Sequence, residues 1–267
     1  MKDYRVIHSH LFIIAALTIA LLGCALEDEE SFSEVEYPIL NGLVDPGHPS
    51  VVRVFAEGVT NPTPTTPACT GVLIYHNTVL TAAHCVTPGA THLVLFDGGS
   101  GFVGIATRHH AYVAISSGAP NDLAVVKTSD KMARPFYAKI AQNVAPNMPI
   151  TLVGYGQTGA NIAQDGIKRF GTNIIDSVDN NFFYFNTALN SPAGEEAATC
   201  RGDSGGPAFL GGVNSDCVGG VTEGVPPPTS AGSACAAHPE GWYHTRVDTK
   251  DNFLFIKSQA LVETCTY

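Results

Sequence analysis

Short apolar segments, separated by turn residues, follow one another along most of the chain and limit the folds that it can adopt. These segments are Val51–Phe55, Gly71–Tyr75, Thr78–Ala82, His92–Phe96, Leu123–Lys127, Ile150–Gly154, Phe182–Asn186, Pro207–Leu210 and Val218–Thr222. Each is followed by Gly, Pro, Asn or Asp, the residues that form tight turns. Many short strands at close spacing predict a β-barrel or β-sandwich.

One segment near the C-terminus shows helical periodicity instead. Within Asp251–Val262 the apolar residues recur at three- and four-residue steps, namely Phe253, Leu254, Ile256, Ala260 and Leu261. This spacing predicts a helix that buries one stripe. Asp248 and Thr249 are the two candidate N-caps.

The first residues indicate export. Lys2 and Arg5 precede the apolar stretch Leu11–Leu22, which is shorter than the roughly 20 residues needed to span a bilayer and fits a signal peptide. The string Leu21–Cys24 resembles a bacterial lipobox, which implies that residues 1–24 are a lipoprotein signal and that Cys24 is lipidated and becomes the new N-terminus after signal removal. Ala25 then favours the outer membrane. An ordinary secretory signal with an incidental cysteine is the alternative, and it implies a secreted or periplasmic protein.

Charge excludes two classes of partner. The chain has 14 Lys+Arg against 24 Asp+Glu, a net charge of −10, so a basic surface for nucleic acid or anionic lipid is not expected. Six of the acids lie in residues 25–38, which we interpret as a solvated tether or propeptide. Membrane contact is expected only through Cys24, and residues 39–267 form the folded domain.

Seven cysteines leave an odd thiol in an exported chain. If Cys24 carries lipid, six remain, enough for three disulfides with 15 possible connectivities. They are Cys69, Cys85, Cys200, Cys217, Cys235 and Cys265. Cys-x-x-Cys spacing is missing from the sequence, which argues against structural zinc, and we predict neither a metal nor another cofactor.

Three strings carry the chemistry: Thr81–Cys85, Asn121–Val125 and Gly202–Pro207. They supply His84, Asp122 and Ser204. A serine hydroxyl needs a base within hydrogen-bond reach, and that base needs a carboxylate to fix its tautomer. These strings, in this order within a β-rich chain, resemble the chymotrypsin/trypsin family of serine endopeptidases over Ile39–Tyr267.

The resemblance implies an all-β fold of two six-stranded antiparallel β-barrels with a C-terminal α-helix, and a protein or peptide substrate. It implies that Ser204 is the nucleophile, His84 the base and Asp122 the carboxylate, and that the amides of Gly202 and Ser204 form the oxyanion hole. Thr222 aligns with the segment that binds substrate backbone, and its hydroxyl is expected to contact Asp122. Glu223 stands where the family has tryptophan.

The resemblance also implies a disulfide framework. Two pairs match those of the family, Cys69–Cys85 beside the histidine and Cys200–Cys235 beside the substrate pocket. Cys217–Cys265 is the pair that remains.

Activation is where the pattern departs from the family. Ile39 resembles the terminus that cleavage releases in a zymogen, and Asp203 is its expected partner. The preceding residue is Pro38 rather than Arg or Lys, so a trypsin-like activator is not expected. Either another protease trims residues 25–38, or the buried Asp203 is compensated differently.

The specificity pocket is predicted to be uncharged. Family members place the pocket-floor residue six positions before the nucleophile, which here is Ala198, and this disfavours Arg and Lys in the substrate. The residues expected to bind substrate are Ala198, Thr199, Thr222, Gly224 and Gly241. An apolar or aromatic side chain is predicted before the cleaved bond. Two alternatives stay open: Trp242 shortens the pocket, or His244 helps to bind an acidic side chain.

Two other functions compete. Gly202, Ser204 and Gly206 also satisfy the Gly-x-Ser-x-Gly pattern of α/β-hydrolase esterases, but that fold needs strand–helix alternation and a serine that precedes the acid and the histidine. A catalytically silent surface binding module is the other alternative, prompted by Pro38, Glu223 and the insertion between Gly224 and Cys235.

Overall fold

The computed structural model describes residues 39–115, 118–129, 136–159, 162–186, 192–224, 235 and 241–267. The predicted signal, lipidation site and tether lie outside these residues, as does Pro38 and most of the insertion after Gly224. No helix in the described ranges is long and apolar enough to cross a membrane.

The described residues are predominantly β-structure. The strands are β1 Leu43–Val44, β2 Val51–Phe55, β3 Ala68–Tyr75, β4 Thr78–Thr81, β5 Thr91–Leu95, β6 Gly101–Arg108, β7 Ala124–Lys127, β8 Lys139–Ala141, β9 Pro149–Gly154, β10 Arg169–Ile174, β11 Ser177–Val178, β12 Phe182–Phe185, β13 Pro207–Leu210, β14 Cys217–Gly224, β15 Trp242–Arg246 and β16 Thr264–Cys265. Each of the nine predicted segments overlaps one of these strands. Strands such as β6, β10 and β15 were not predicted.

The first half closes into a barrel with the strand order β2-β3-β4-β7-β6-β5. Its interior is filled by apolar residues, among them Val52, Leu73, Val79, Val94 and Val126. Closure removes the unpaired strand edges of the sheet. It also gives the loops at each end of the barrel fixed positions.

The second half is a ten-stranded sheet with the order β1-β10-β9-β13-β14-β15-β12-β11, and β8 and β16 join it beside β14. The trypsin-like fold class is confirmed, but this half differs in detail from the predicted six-stranded barrel. Its two end strands, β1 and β11, do not pair with each other among the described residues, so the sheet remains a half-barrel. The β8 and β16 pairings are parallel.

The C-terminal helix α1 spans Lys250–Gln259, and the Thr249 side chain caps it by accepting a hydrogen bond from the amide of Asn252. The helix is confirmed, but of its predicted buried stripe only Ile256 is fully buried, while Phe253 packs partly buried against the core. The buried residues are Asn252, Phe255 and Ile256, whereas Leu254 is 55% exposed. Asn252 is drawn inward because its Nδ2 donates to the carbonyl of Arg246 at 2.7 Å.

Candidate active site

His84 and Asp122 meet because of how β4 pairs with β7. These strands are antiparallel and place Thr81 opposite Ala124, so the residues after β4 and those before β7 lie at the same end of the barrel. His84 sits in a 3₁₀ turn, Ala83–Cys85, just after β4, and Asp122 comes two residues before β7.

Asp122 holds His84 through both of its carboxylate oxygens. The Nδ1 atom of His84 lies 2.5 Å from Oδ2, and the backbone N–H of His84 donates to Oδ1 at 2.9 Å. The Asp122 side chain is 1% exposed while that of His84 is 36% exposed. With Nδ1 committed as the donor to Asp122, Nε2 is left as the acceptor on the accessible side of the ring.

Ser204 lies on the loop that leads into β13, against β3 of the first barrel. Its carbonyl accepts from the amide of Thr70 at 2.9 Å. The neighbouring Gly205 has φ 83°, and a side chain there would overlap Thr81 at the end of β4. In the described residues no hydrogen bond joins the Ser204 hydroxyl to His84; such bonds are often long before substrate binds.

The backbone N–H groups of Gly202 and of Ser204 itself are the two predicted donors of the oxyanion hole. Gly202 has φ 95°, and a side chain at this position would overlap Gln164 Nε2, so the turn requires glycine. In the described part of the chain, neither the Gly202 nor the Ser204 amide donates a hydrogen bond. Both N–H groups are therefore available as donors.

Asp203 is completely buried and accepts backbone hydrogen bonds. Gly156 donates to Oδ1 and Cys200 to Oδ2, each at 2.8 Å, and the amide of Ile39 also donates to this carboxyl. Burial nevertheless raises the pKa of Asp203 to about 7, against the lowering effect of these donors. Three backbone amides thus offset part of the cost of burying the Asp203 carboxyl. In the uncleaved chain Ile39 contributes an amide N–H rather than a terminal ammonium group.

The residues predicted to form the floor of the specificity pocket are Ala198 and Thr199. Ala198 and Thr199 are buried, and the indole Nε1 of Trp242 donates to the carbonyl of Thr199 at 2.9 Å. This hydrogen bond holds the indole ring of Trp242 against the backbone of Thr199. Gly241 has φ 74°, and an added Cβ would come within 2.7 Å of the Phe185 carbonyl oxygen, so Gly241 packs against β12.

His244 is fully buried on β15, and desolvation lowers its pKa to about 3. It is therefore neutral at ordinary pH and unsuited to pair with an acidic substrate. The Thr222 hydroxyl lies 3.5 Å from His244 Nε2. Hydrogen bonds to Asp122 in the described residues come from His84, so the expected contact between Thr222 and Asp122 is not made.

The Thr222 backbone supports the nucleophile loop, because its carbonyl accepts from Gly205 and its N–H donates to the Gly206 carbonyl, both at 2.8 Å. Gly224, at the end of β14, is half-buried, and an added Cβ there meets nothing within 4 Å. Of the five residues expected to bind substrate, Gly224 therefore has open space beside it. The other four are buried.

Three disulfides brace these segments. They join Cys69 to Cys85, Cys200 to Cys235 and Cys217 to Cys265. The first fixes β3 to the His84 turn, the second anchors the residue three positions before Asp203, and the third ties β14 to β16.

Sequence reasoning missed several residues that shape the site. Gly154 and Gly156 enclose Asp203, since a side chain at either would overlap its carboxyl oxygens. Gln164 binds both the N–H and the carbonyl of Ala68. The closely spaced glycines around Tyr155 were the only local signal, because the contacts join segments far apart in sequence.

A closed antiparallel barrel that brings a buried aspartate to a histidine, beside a glycine-flanked serine, has the design of a serine endopeptidase. Comparison with known proteins agrees: the family model described as Trypsin matches residues 46–247. The chain therefore belongs to the trypsin family, and it is a serine endopeptidase.

The relatives are distant. Trypsin delta of Drosophila erecta is 22% identical over 218 residues, which cover 74% of this chain and 85% of the relative. Human granzyme M is 29% identical over 167 residues, 54% of this chain and 64% of the relative. Rat chymotrypsin-like elastase family member 1 is 26% identical over 180 residues, 59% and 68% of the two chains.

Proposed function

We propose that the protein hydrolyses peptide bonds through an acyl-enzyme on Ser204, with His84 as the base and Asp122 as its carboxylate. The observation that carries the proposal is the double hydrogen bond from His84 to buried Asp122, at the barrel end where the Ser204 loop packs. This arrangement leaves Nε2 of His84 free to accept a proton.

The proposed reaction begins when Ser204 Oγ bonds to the carbonyl carbon of the substrate and its proton passes to His84 Nε2. The carbonyl π electrons move to oxygen, which the N–H groups of Gly202 and Ser204 stabilise. The C–N bond then breaks as His84 returns the proton to the leaving amine. Water repeats the sequence, with His84 again as base, and releases the acid from Ser204.

We further propose a preference for an apolar or aromatic side chain before the cleaved bond. Ala198 supplies no charge, neutral His244 cannot attract an acid, and the contact of Trp242 with Thr199 supports a short pocket. Thr199, Thr222, Gly224 and Gly241 complete the proposed substrate-binding set.

Activation is proposed to follow cleavage before Ile39 by a protease that accepts Pro38. The new ammonium group would replace the Ile39 amide at Asp203 and pair with its carboxylate. In this scheme residues 1–24 are a signal, 25–38 a tether or propeptide, and 39–267 the protease domain. Lipid at Cys24 would hold the exported protein on a bacterial outer membrane; without it the protein would be secreted or periplasmic.

A fluorophosphonate probe tests the chemistry. Protein beginning at Ile39 should be labelled, and the Ser204→Ala variant should not. If labelling is independent of Ser204, or is not seen at all, the silent binding module becomes the better assignment. A peptide-library cleavage profile then separates a peptidase from an esterase, and dominant cutting after Arg or Lys would contradict the proposed pocket.

A further inference from the structure

Glu223 lies at an irregularity in β14. The register with β15 shifts between Thr222, which pairs with His244, and Gly224, which pairs with Tyr243. Glu223 is thus the extra residue of a β-bulge. A bulge changes the direction in which a side chain points, because it interrupts the alternation of side chains between the two faces of the strand. Although it is an acid, Glu223 is only 9% exposed.

The re-aimed carboxyl reaches the loop of the first barrel that leads to Asp122. Glu223 Oε1 accepts from the backbone N–H of Ala119 at 2.6 Å. Next to it, the Tyr243 hydroxyl oxygen accepts from the N–H of Gly118 at 2.8 Å. Two side chains of the second sheet therefore hold two consecutive amides, three and four residues before Asp122.

The carboxyl is also fixed from behind. The Thr245 hydroxyl, which is completely buried on β15, donates to Glu223 Oε2 at 3.4 Å. Glu223 is therefore held at both of its carboxyl oxygens. A buried N–H that loses its acceptor costs stability, so the loop is tied to the position of Glu223.

We propose that Glu223 is a positioning residue for Asp122: assisted by Tyr243, it fixes the backbone of residues 118–119 against the second sheet and so sets where Asp122 meets His84. The inference rests on the proposed role of Asp122 in catalysis. Asp122 and His84 come from the first barrel and Ser204 from the second half, so a tie between the halves maintains their alignment.

The electrostatics add a pH signature. The titratable groups that face Glu223 are Asp122, Tyr112, Tyr184 and Tyr243. Burial first, and then the charge of Asp122, raise the pKa of Glu223 to about 8. Ionisation above that pH adds a negative charge near Asp122, which stabilises the imidazolium that His84 forms during attack.

The test compares Glu223→Ala, Glu223→Gln and Tyr243→Phe with wild type. The matched control is Glu263→Gln, because Glu263 is an exposed acid that directly precedes β16. Glu223→Ala removes the acceptor, so kcat should fall by about ten- to hundredfold, as expected for an orphaned buried donor. Glu223→Gln keeps an oxygen for Ala119 and should restore kcat to within about threefold of wild type at pH 7. Tyr243→Phe should give an intermediate loss.

Two readouts separate positioning from a merely structural role. Hydrogen exchange of the Gly118 and Ala119 amides should accelerate in Glu223→Ala and stay slow in the Glu263 control. Wild-type kcat should also rise through a step centred near pH 8, and Glu223→Gln should lack that step. A thermal scan of each variant confirms that it is folded.

The proposal is overturned if Glu223→Ala keeps wild-type kcat, whether or not exchange accelerates, or if the pH profiles of wild type and Glu223→Gln coincide. Failure of the proposed function looks different: wild type itself would show no labelling that depends on Ser204. In that case the exchange data still decide whether Glu223 holds the loop.

Discussion

Replacing Asp122 with Asn tests the proposed catalytic centre most directly, because the shape is kept while the chemistry changes. The carboxylate accepts twice from His84, once from Nδ1–H and once from the backbone N–H. An amide has one oxygen. If that oxygen keeps the backbone N–H, the NH₂ group faces Nδ1, which must then become an acceptor.

The substitution changes the protonation of Nε2 of His84. With Nδ1 accepting from Asn, the ring proton moves to Nε2, which can no longer take the proton of Ser204. In the serine-protease template the same change costs about 10⁴ in kcat, which is a barrier increase of about 5 kcal/mol at 1.36 kcal/mol per decade. Since Asp and Asn have the same volume, thermal unfolding should change little.

The assay is hydrolysis of a peptide ester by protein that begins at Ile39, with the fluorophosphonate labelling rate as a second measure. Asp216→Asn is the matched control, because the Asp216 side chain is 55% exposed and pairs with Lys139 on the surface; it should leave kcat unchanged. If Asp122→Asn retains more than about a tenth of wild-type kcat with an intact fold, our assignment of the carboxylate is refuted.

Three further predictions concern Asp203, its glycine neighbours and the disulfides. Folded Asp203 and Glu223 have pKa values raised from ordinary values of 3.8 and 4.5 to about 7 and about 8, so between these limits the folded state keeps protons that the unfolded state has lost. The melting temperature of the uncleaved chain should therefore fall as pH rises from about 5 to 8 and level off above pH 8; a flat or rising profile from pH 5 to 8 contradicts this. Gly156→Ala should displace the Asp203 carboxyl, because the new methyl group would overlap it, and should lower kcat by about a hundredfold. The control is Gly212→Ala, where an added Cβ meets nothing within 4 Å. If Gly156→Ala is as active and as stable as wild type, the loop adapts and the prediction is wrong. Replacing Cys217 and Cys265 with Ala opens a loop with a sequence separation of 48 and should lower the free energy of unfolding by about 4 kcal/mol in the chain-entropy model, measured by urea denaturation; a change below about 1 kcal/mol would argue against that model here.

Short sequence strings predicted which residues take part in catalysis, and the pairing of strands determines which of these residues meet. Thr81–Cys85 and Asn121–Val125 predict a histidine and an aspartate with related roles, and the pairing of β4 with β7 brings them together. The same strings carry no sign of the bulge at Glu223, because a bulge is defined by the partner strand. Likewise, nothing near Ser204 predicts that the amide of Gly156 donates to Asp203.

The C-terminal helix shows the limit of periodicity. The spacing of apolar residues predicted the existence of the helix, and local sequence limited its cap to Asp248 or Thr249, of which the structure shows Thr249. Its buried face depends on what lies against it. Asn252 turns inward because the carbonyl of Arg246 is there to accept its hydrogen bond, and no hydropathy pattern contains that information.

Short strings whose chemistry is local were enough to infer the serine endopeptidase family, the β-rich class and the residues of the proposed triad. The three-dimensional arrangement was needed to show that the second half is an open half-barrel, that the distant amide of Gly156 binds Asp203, and that Glu223 spans the two halves. Those features arise from backbone groups and register at long separation, where hydrogen bonding and burial depend on neighbours that the linear order of residues does not specify.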